Sequence, residues 1–386
     1  MTTTITKTAQ AGVDVPIKDA HQYDYDRLAT YVHPSETKEE LPWAELVTLD
    51  LEDFDRPGGK QRLAAQLEHA AHHVGFFYVK NFGLSQEQVD NQFTLAKNFF
   101  ELPVEEKARY EVNYAAADYN GWRRAGRRVN QPVKDNIEIY NIPKFTKDFE
   151  GKYQQPDLLK AHLPEIEVFS RALHSNVVVP LLRLFAIILQ LPDEDYLVKQ
   201  HTYDKKSEDH FRYMIYHQRT AEEHALSGYG QTTGHTDLGT VTLLFRQPVA
   251  GLQILGDDGN WTYVSAQPGT ITVNLADTIS HLTGGWLKSS VHRVVAPPRD
   301  QWQYERTGLL YFARPHNDTV LNFIEDSPVL KAAGVTSRFE KPVTMEEWVK
   351  AKQTLQLNPE ISAKKYAESG DGTVEVLAGF RDRHYK

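Results

Sequence analysis

Gly234-His235-Thr236-Asp237-Leu238-Gly239-Thr240-Val241-Thr242-Leu243-Leu244 sets a histidine and an aspartate two residues apart at the head of an apolar, β-branched run. A strand places residues i and i+2 on one face, so both side chains point the same way and Thr236 points away, to pack or to support its neighbours. Further on, Ser290-Val291-His292-Arg293-Val294-Val295 is a second short β-branched run with one histidine in it. Two imidazoles and one carboxylate drawn from neighbouring strands are the ligand set of a non-haem Fe(II) site with open positions on one side. A closed structural zinc site would need four ligands, usually thiolates or imidazoles, and this chain has no cysteine. The spacing therefore predicts an open metal site at His235, Asp237 and His292 inside a β-barrel. The rival histidines read differently. His69, His72 and His73 fall on a predicted helix without the H-E-x-x-H order, and His217, His224 and His281 read as structural.

A second constellation follows. Tyr304-Glu305-Arg306-Thr307-Gly308-Leu309-Leu310-Tyr311-Phe312-Ala313 reads as a strand with Arg306, Gly308, Leu310 and Phe312 on one face. An arginine pointing into an apolar barrel is costly unless an anion neutralises it. A small carboxylate suits a guanidinium as a two-pronged hydrogen-bonded partner; an Asp or Glu of the protein is the alternative. Tyr216, in the strand candidate Phe211-Arg212-Tyr213-Met214-Ile215-Tyr216, either donates its phenol to the same anion or packs.

With these stretches in view, the chain resembles the Fe(II)/2-oxoglutarate-dependent dioxygenases of the isopenicillin N synthase-like superfamily. In the N-terminal half the likeness runs through Val74-Gly75-Phe76-Phe77-Tyr78-Val79, Phe99-Phe100-Glu101-Leu102-Pro103 and Tyr119-Asn120-Gly121-Trp122. In the C-terminal half it covers His235, Asp237, Gly251-Leu252-Gln253, Pro268-Gly269, Asn274-Leu275-Ala276-Asp277, His292-Arg293 and Arg306. The resemblance implies that His235, Asp237 and His292 bind Fe(II) and that Arg306 and Tyr216 hold 2-oxoglutarate. It also implies that O2 is consumed and that succinate and CO2 are released. The substrate would be hydroxylated, desaturated, demethylated or cyclised. Two departures stand out. The family's Arg-x-Ser is here Arg306-Thr307-Gly308, so the serine hydroxyl is missing and Thr307 or a water must fill in, and Met214 stands where many members carry asparagine. A lost neutral hydrogen bond is worth about 1 kcal/mol, whereas an unpaired buried anion costs about 3–5 kcal/mol, so the arginine decides. The substrate pocket is expected to draw on Tyr119, Trp122, Arg123, Tyr140, Phe312 and Arg314, with the helix carrying Trp348 as a lid.

The organisation expected is mixed α/β (α+β): a double-stranded β-helix, or jelly roll, braced by N-terminal and long central helices. Residues 1–40 read as an extended, partly mobile arm, 41–200 as a helical and strand region, 201–320 as the jelly-roll core and 321–386 as a C-terminal helical region. Leu163 to Leu191 reads as the long bracing helix, kinked at Pro180. Ser85 with Gln88, and Thr344 with Glu347, form capping boxes. The 386 residues, 25% charged with a formal net charge of −9, disfavour nucleic-acid or anionic-membrane partners. No run of about eighteen apolar residues is evident, and Met1-Thr2-Thr3-Thr4-Ile5 does not open like a signal peptide. The absence of cysteine excludes disulfides and fits a cytoplasmic location. A small organic molecule, in specialised metabolism, is the expected partner; oligomeric state is not readable. Three other readings remain at this point: a same-fold oxidase that uses no 2-oxoglutarate, a metal hydrolase or isomerase on a β-barrel, and a non-catalytic metal-binding module.

Overall fold

The structure is a computed structural model that describes residues 27–114, 118–126, 133–227, 234–357, 364–366, 368–369 and 372–383. The strands of its two larger sheets are β1 (Thr48–Asp50), β2 (Phe76–Lys80), β3 (Gly121–Arg123), β4 (Ile137–Pro143), β5 (His210–Tyr216), β6 (Val241–Phe245), β7 (Leu252–Leu255), β8 (Trp261–Tyr263), β9 (Thr270–Leu275), β10 (His292–Val294) and β11 (Arg306–Ala313). A large sheet runs in the order β1-β2-β9-β6-β11-β5-β4-β3, antiparallel apart from the β1–β2 pair. A small sheet, β10-β7-β8, faces it, and Phe76 and Tyr78 of β2 close the gap against Leu252 and Ile254 of β7. This is the jelly-roll core expected.

Register decides what the barrel contains. Across β11 and β5, Arg306 pairs with Tyr216, Gly308 with Met214, Leu310 with Arg212 and Phe312 with His210. On the other edge of β11, Phe312 pairs with Thr242, which in turn pairs with Asn274 of β9. Side chains alternate along a strand, so all of these share the interior face. The opposite face, with Phe211, Tyr213, Leu243, Leu309 and Tyr311, joins the main core under the helices. Every residue of β11 is buried because both of its faces are covered.

The bracing helix starts earlier than the sequence suggests. It runs Asp157–Leu173, widens into a π turn at His174–Val178, and continues Val179–Ile188. Pro180 has no N–H and its ring would press on the carbonyl one turn back, so the wide turn just before it takes up the misfit. By length and composition alone, Asp157–Ile188 is also long and apolar enough to cross a membrane, although charged residues interrupt it. Here that apolarity is spent on the sheet: Phe169 lies 5.4 Å from the rings of both Phe211 and Phe245.

Two terminal segments behave differently from expectation. The first 26 residues of the expected arm lie outside the described residues. From Leu28 on, the arm is pinned to the barrel. Tyr31 stacks on Phe93 at 5.0 Å, Thr37 and the Lys38 amide bind Asp300, and Glu36 pairs with Arg246. The C-terminal helix Met345–Leu357 does start at a Thr344–Glu347 capping box, but it is a buttress and not a lid. Trp348 is fully buried and donates its indole N–H to the Leu238 carbonyl at 3.1 Å. One turn on, buried Lys352 pairs with Asp277 at 2.9 Å and Asp382 at 2.6 Å.

Outside the barrel, Glu138 accepts hydrogen bonds from Lys107 (2.5 Å), Trp122 Nε1 (2.7 Å) and His217 (2.9 Å). His217 also meets Glu305 at 2.9 Å. The bonds to Glu138 and then Glu305 push the His217 pKa up to about 9. A folded pKa above the unfolded value of about 6.5 stabilises fully below that value, and the contribution fades as pH rises through the folded pKa. The melting-temperature gap between wild type and His217→Gln should therefore be widest near pH ~6 and close by pH ~10. A gap that grows toward alkaline pH would contradict this ion pairing.

Candidate metal centre and cosubstrate pocket

His235 and Asp237 do not sit on one continuous strand, as the sequence suggests. His235 forms an isolated antiparallel bridge with His292, its amide and carbonyl exchanging bonds of 3.0 and 2.9 Å with that residue. Asp237 follows outside any strand, and a bend at Leu238–Thr240 precedes β6. Gly239 sits at that bend because a Cβ would lie 2.5 Å from the Ala313 carbonyl oxygen. The two histidines are thus strapped together by backbone, with ring centroids 4.4 Å apart.

The three donor atoms lie within 4.8 Å of one another. His292 Nε2 is 3.8 Å and His235 Nε2 4.0 Å from Asp237 Oδ1. The other oxygen, Oδ2, accepts bonds from Thr242 Oγ1 at 2.6 Å and Asn274 Nδ2 at 2.9 Å. One carboxylate oxygen is thereby tied back and the other faces the imidazoles. His292 Nδ1 lies 3.1 Å from the Ser290 carbonyl, which can only accept, so Nδ1 carries the proton and Nε2 offers its lone pair. Burial alone would raise the Asp237 pKa. His292, His235 and the two hydrogen bonds outweigh it and hold the carboxyl down at about 2. This donor set fits Fe(II), and no other His or carboxylate joins the cluster among the described residues.

Arg306 lies toward the other end of β11. Its Nε donates to the Val249 carbonyl at 3.1 Å and its guanidinium sits 5.4 Å from the Tyr216 ring centroid. No Asp or Glu among the described residues pairs with it, which removes the protein-carboxylate alternative, and burial draws its pKa down. The missing serine has a physical counterpart. A Cβ on Gly308 would lie 2.3 Å from Gln247 Nε2, so the Gln247 side chain fills the space that a residue there would take. Gln247 Nε2 donates to the Thr307 carbonyl at 3.2 Å, while its Oε1 is buried without a partner. Tyr31 of the arm closes over this end, hydrogen-bonded to Thr307, and burial pushes its pKa up to about 12.

Comparison with known proteins settles the family. A family model described as non-haem dioxygenase in morphine synthesis N-terminal matches residues 46–162, and one described as 2OG-Fe(II) oxygenase superfamily matches residues 208–315. The chain belongs to the 2OG-Fe(II) oxygenase superfamily. A UPF0676 protein of Schizosaccharomyces pombe is 28% identical over 86% of this chain and 98% of its own length. A 2-oxoglutarate-dependent dioxygenase of a Dothideomycetidae species is 25% identical over 80% of this chain and 95% of its own. The crystal structure of a full-length Neurospora crassa protein in complex with alpha-KG superposes with a TM-score of 0.69 at 21% identity, covering 82% of this chain and all of that one. The protein is accordingly a 2-oxoglutarate-dependent non-haem iron dioxygenase, with Fe(II), 2-oxoglutarate and O2 as its cofactors.

In this oxygenase the expected substrate residues divide into two groups. Phe312 faces the interior, and Arg314 is buried just beyond it with its Nε unpartnered. Tyr119 lies nearby, its backbone carbonyl taking a bond from Asn141 Nδ2 at 2.8 Å. Arg123 is on the interior edge but donates to the Ile137 carbonyl and pairs with Asp135. Trp122, Tyr140 and Trp348 are corrected. Trp122 and Tyr140 are paired across β3 and β4 on the outer face, each 1% exposed, because Gly121 and Arg123 take the inner parity. Trp348 lies behind the Leu238–Thr240 bend among His281, Phe339 and Phe380. Sequence reading missed Arg212, Thr242, Asn274, Gln247 and Tyr31. The first three were within reach of strand parity; Tyr31, on an irregular arm, carried no periodic signal.

Thr242→Val removes the hydroxyl that anchors Asp237 Oδ2 and should weaken Fe(II) or Co(II) binding about 10- to 100-fold in anaerobic titration. Asp237→Ala should abolish binding. Unchanged affinity in Thr242→Val would mean that the carboxylate is oriented by something else.

Proposed function

We propose that His235, Asp237 and His292 hold the ferrous ion, that Arg306, Tyr216 and Thr307 hold 2-oxoglutarate, and that the enzyme oxidises a mid-sized organic small molecule in cytoplasmic specialised metabolism. The reading rests on one observation. A three-donor cluster and a buried arginine without a carboxylate share the same barrel interior. When bound, iron and 2-oxoglutarate supply oxidative decarboxylation to succinate and CO2, coupled to hydroxylation, desaturation, demethylation or ring formation.

The residues' share is positioning. Arg306 offers the two-pronged partner for the distal carboxylate, and Tyr216, its cross-strand neighbour, flanks that ligand. Gln247 takes the role of the absent serine, and Tyr31 excludes water at the arginine end. Thr242 and Asn274 keep Asp237 Oδ1 aimed at the metal. Phe312 forms the apolar wall between the two ends.

The test is anaerobic titration of the Fe(II) protein with 2-oxoglutarate, followed by its weak visible charge-transfer band, and then an oxygen-consuming metabolite screen for coupled succinate. Arg306→Gln should raise the 2-oxoglutarate Kd at least ~100-fold, since a buried anion loses its only charge partner. Gln247→Ala should raise it about fivefold, as expected for one neutral hydrogen bond. Gly308→Ser collides with Gln247 in the wild type but should recover affinity in the Gln247→Ala background. Oxygen uptake that ignores 2-oxoglutarate would overturn the assignment of Arg306.

A further inference from the structure

A pair of guanidinium groups lies in the barrel, remote from Arg306. Arg212 faces inward four residues before Tyr216 along β5, about 13 Å from it by strand rise. Its Nε donates to Asn141 Oδ1 at 2.7 Å, its Nη2 lies 3.3 Å from His210 Nε2, and its plane covers the Phe312 ring at 4.5 Å. All three partners are neutral. His210 Nδ1 lies 3.0 Å from the Glu208 carbonyl, so it carries the ring proton and Nε2 accepts from the arginine. Burial keeps this histidine uncharged and draws Arg212 itself down to about 10.

Arg314 is 7% exposed, and its Nε is buried without a partner. The nearby acids are committed elsewhere. Asp209 takes the Arg314 backbone N–H at 2.8 Å and the Ser207 hydroxyl at 2.9 Å, with Lys144 4.0 Å away. Glu208 accepts from Asn317. Asp237, whose field Arg212 feels most among the charged groups, belongs to the metal triad. Tyr119 sits under the charge of both arginines, and its phenol oxygen is buried with no hydrogen-bond partner. Burial keeps that phenol protonated, a neutral donor. Two desolvated like charges and an orphaned donor, with no carboxylate paired to either arginine among the described residues, form a site that is complete only with an anion. The resident metal would add more positive charge.

We propose that the primary substrate is an organic oxyanion, a carboxylate or phosphate ester, gripped by Arg212 and Arg314 with Tyr119 donating a further hydrogen bond. The substrate role rests on the oxygenase reading above; the anion site itself does not. 2-Oxoglutarate at Arg306 is too far along the strand to satisfy this pair with the same carboxylate. The substrate's apolar body then lies along Phe312, toward the metal.

The test uses the full chain loaded with Mn(II) and saturating 2-oxoglutarate, so that nothing turns over, titrated by calorimetry with phenylacetate, phenyl phosphate and phenylacetamide. At least one acid should bind ~10-fold or more tightly than the neutral amide. Arg212→Met and Arg314→Met should each erase that preference. Preference for phenyl phosphate or for phenylacetate tells the two anion chemistries apart. Without ligand, Arg212→Met should melt at or above the wild-type temperature, because it relieves an unpaired buried charge. A marked fall in melting temperature would make Arg212 a structural residue, kept for its bonds to Asn141 and His210, and overturn the proposal. So would equal affinity for acids and amide, no measurable binding of any probe, or an acid preference that survives in both variants. Titration of the wild type with Mn(II) and 2-oxoglutarate alone reports separately on the oxygenase reading. Its failure beside an intact acid preference would remove the reaction and keep the anion site.

Discussion

Everything at the centre of this barrel depends on how one carboxylate is held. Asp237 lies outside any strand, so ladder hydrogen bonds do not fix it. Thr242 and Asn274 tie back one of its oxygens, and its backbone carbonyl takes the Asp277 amide at 2.9 Å. Asp277 is itself neutralised by Lys352, which Asp382 holds from the far side. Burial would pull a lysine toward its neutral form; here the two carboxylates push Lys352 the other way and keep it charged. Removing one partner of such a buried set leaves an uncompensated charge, at a cost of about 3–5 kcal/mol. The C-terminal segment therefore reaches the metal centre through a relay of charge and backbone. That relay accounts for the tight packing of the Trp348 helix.

The interior charge follows the same logic on a larger scale. The metal triad carries one negative charge, and the barrel holds Arg306, Arg212 and Arg314 without protein counter-ions among the described residues. A folded protein tolerates this only where ligands complete the balance or where water reaches the groups. The two positive poles lie at opposite ends of the β5–β11 pair, with Gly308, Leu310 and Phe312 between them. An interior polarised at both ends and apolar in the middle favours two anionic ligands that meet near the metal. It disfavours one long neutral molecule.

Much of this was legible in the sequence because strand parity is strict. The alternation in Tyr304–Ala313 put Arg306 and Phe312 on one face, and the register of β11 against β5 places them there. The same parity applied to Phe211–Tyr216 gives Arg212 the face of Tyr216. Parity misled only where the chain is irregular. The Leu238–Thr240 bend breaks the strand after Asp237, and short β3 gives no run long enough to show that Trp122 faces outward. Aromatic side chains near a sequence motif read as pocket walls, yet large rings bury more area against the helix layer, where Tyr140 meets Phe99 at 4.3 Å. The long helix misled in the opposite sense. Its run through Pro180 is continuous, as expected, but it starts at Asp157, ahead of Pro164 and of the expected Leu163.

On the proposed reading, the Gly308–Gln247 pair replaces the family's serine through space and not through sequence. A serine at 308 needs a Cβ, and the Gln247 amide already occupies that position. Volume is therefore exchanged between β11 and the loop after β6, with the polar group delivered from the other side. Such an exchange is silent in any comparison that reads positions one at a time, because neither the glycine nor the glutamine signals a hydrogen bond on its own. The buried, unpartnered Oε1 of Gln247 marks the remaining tension. An acceptor cannot partner an anion, so on the proposed reading the amide presents an N–H to the cosubstrate and leaves its oxygen for a donor such as a bound water.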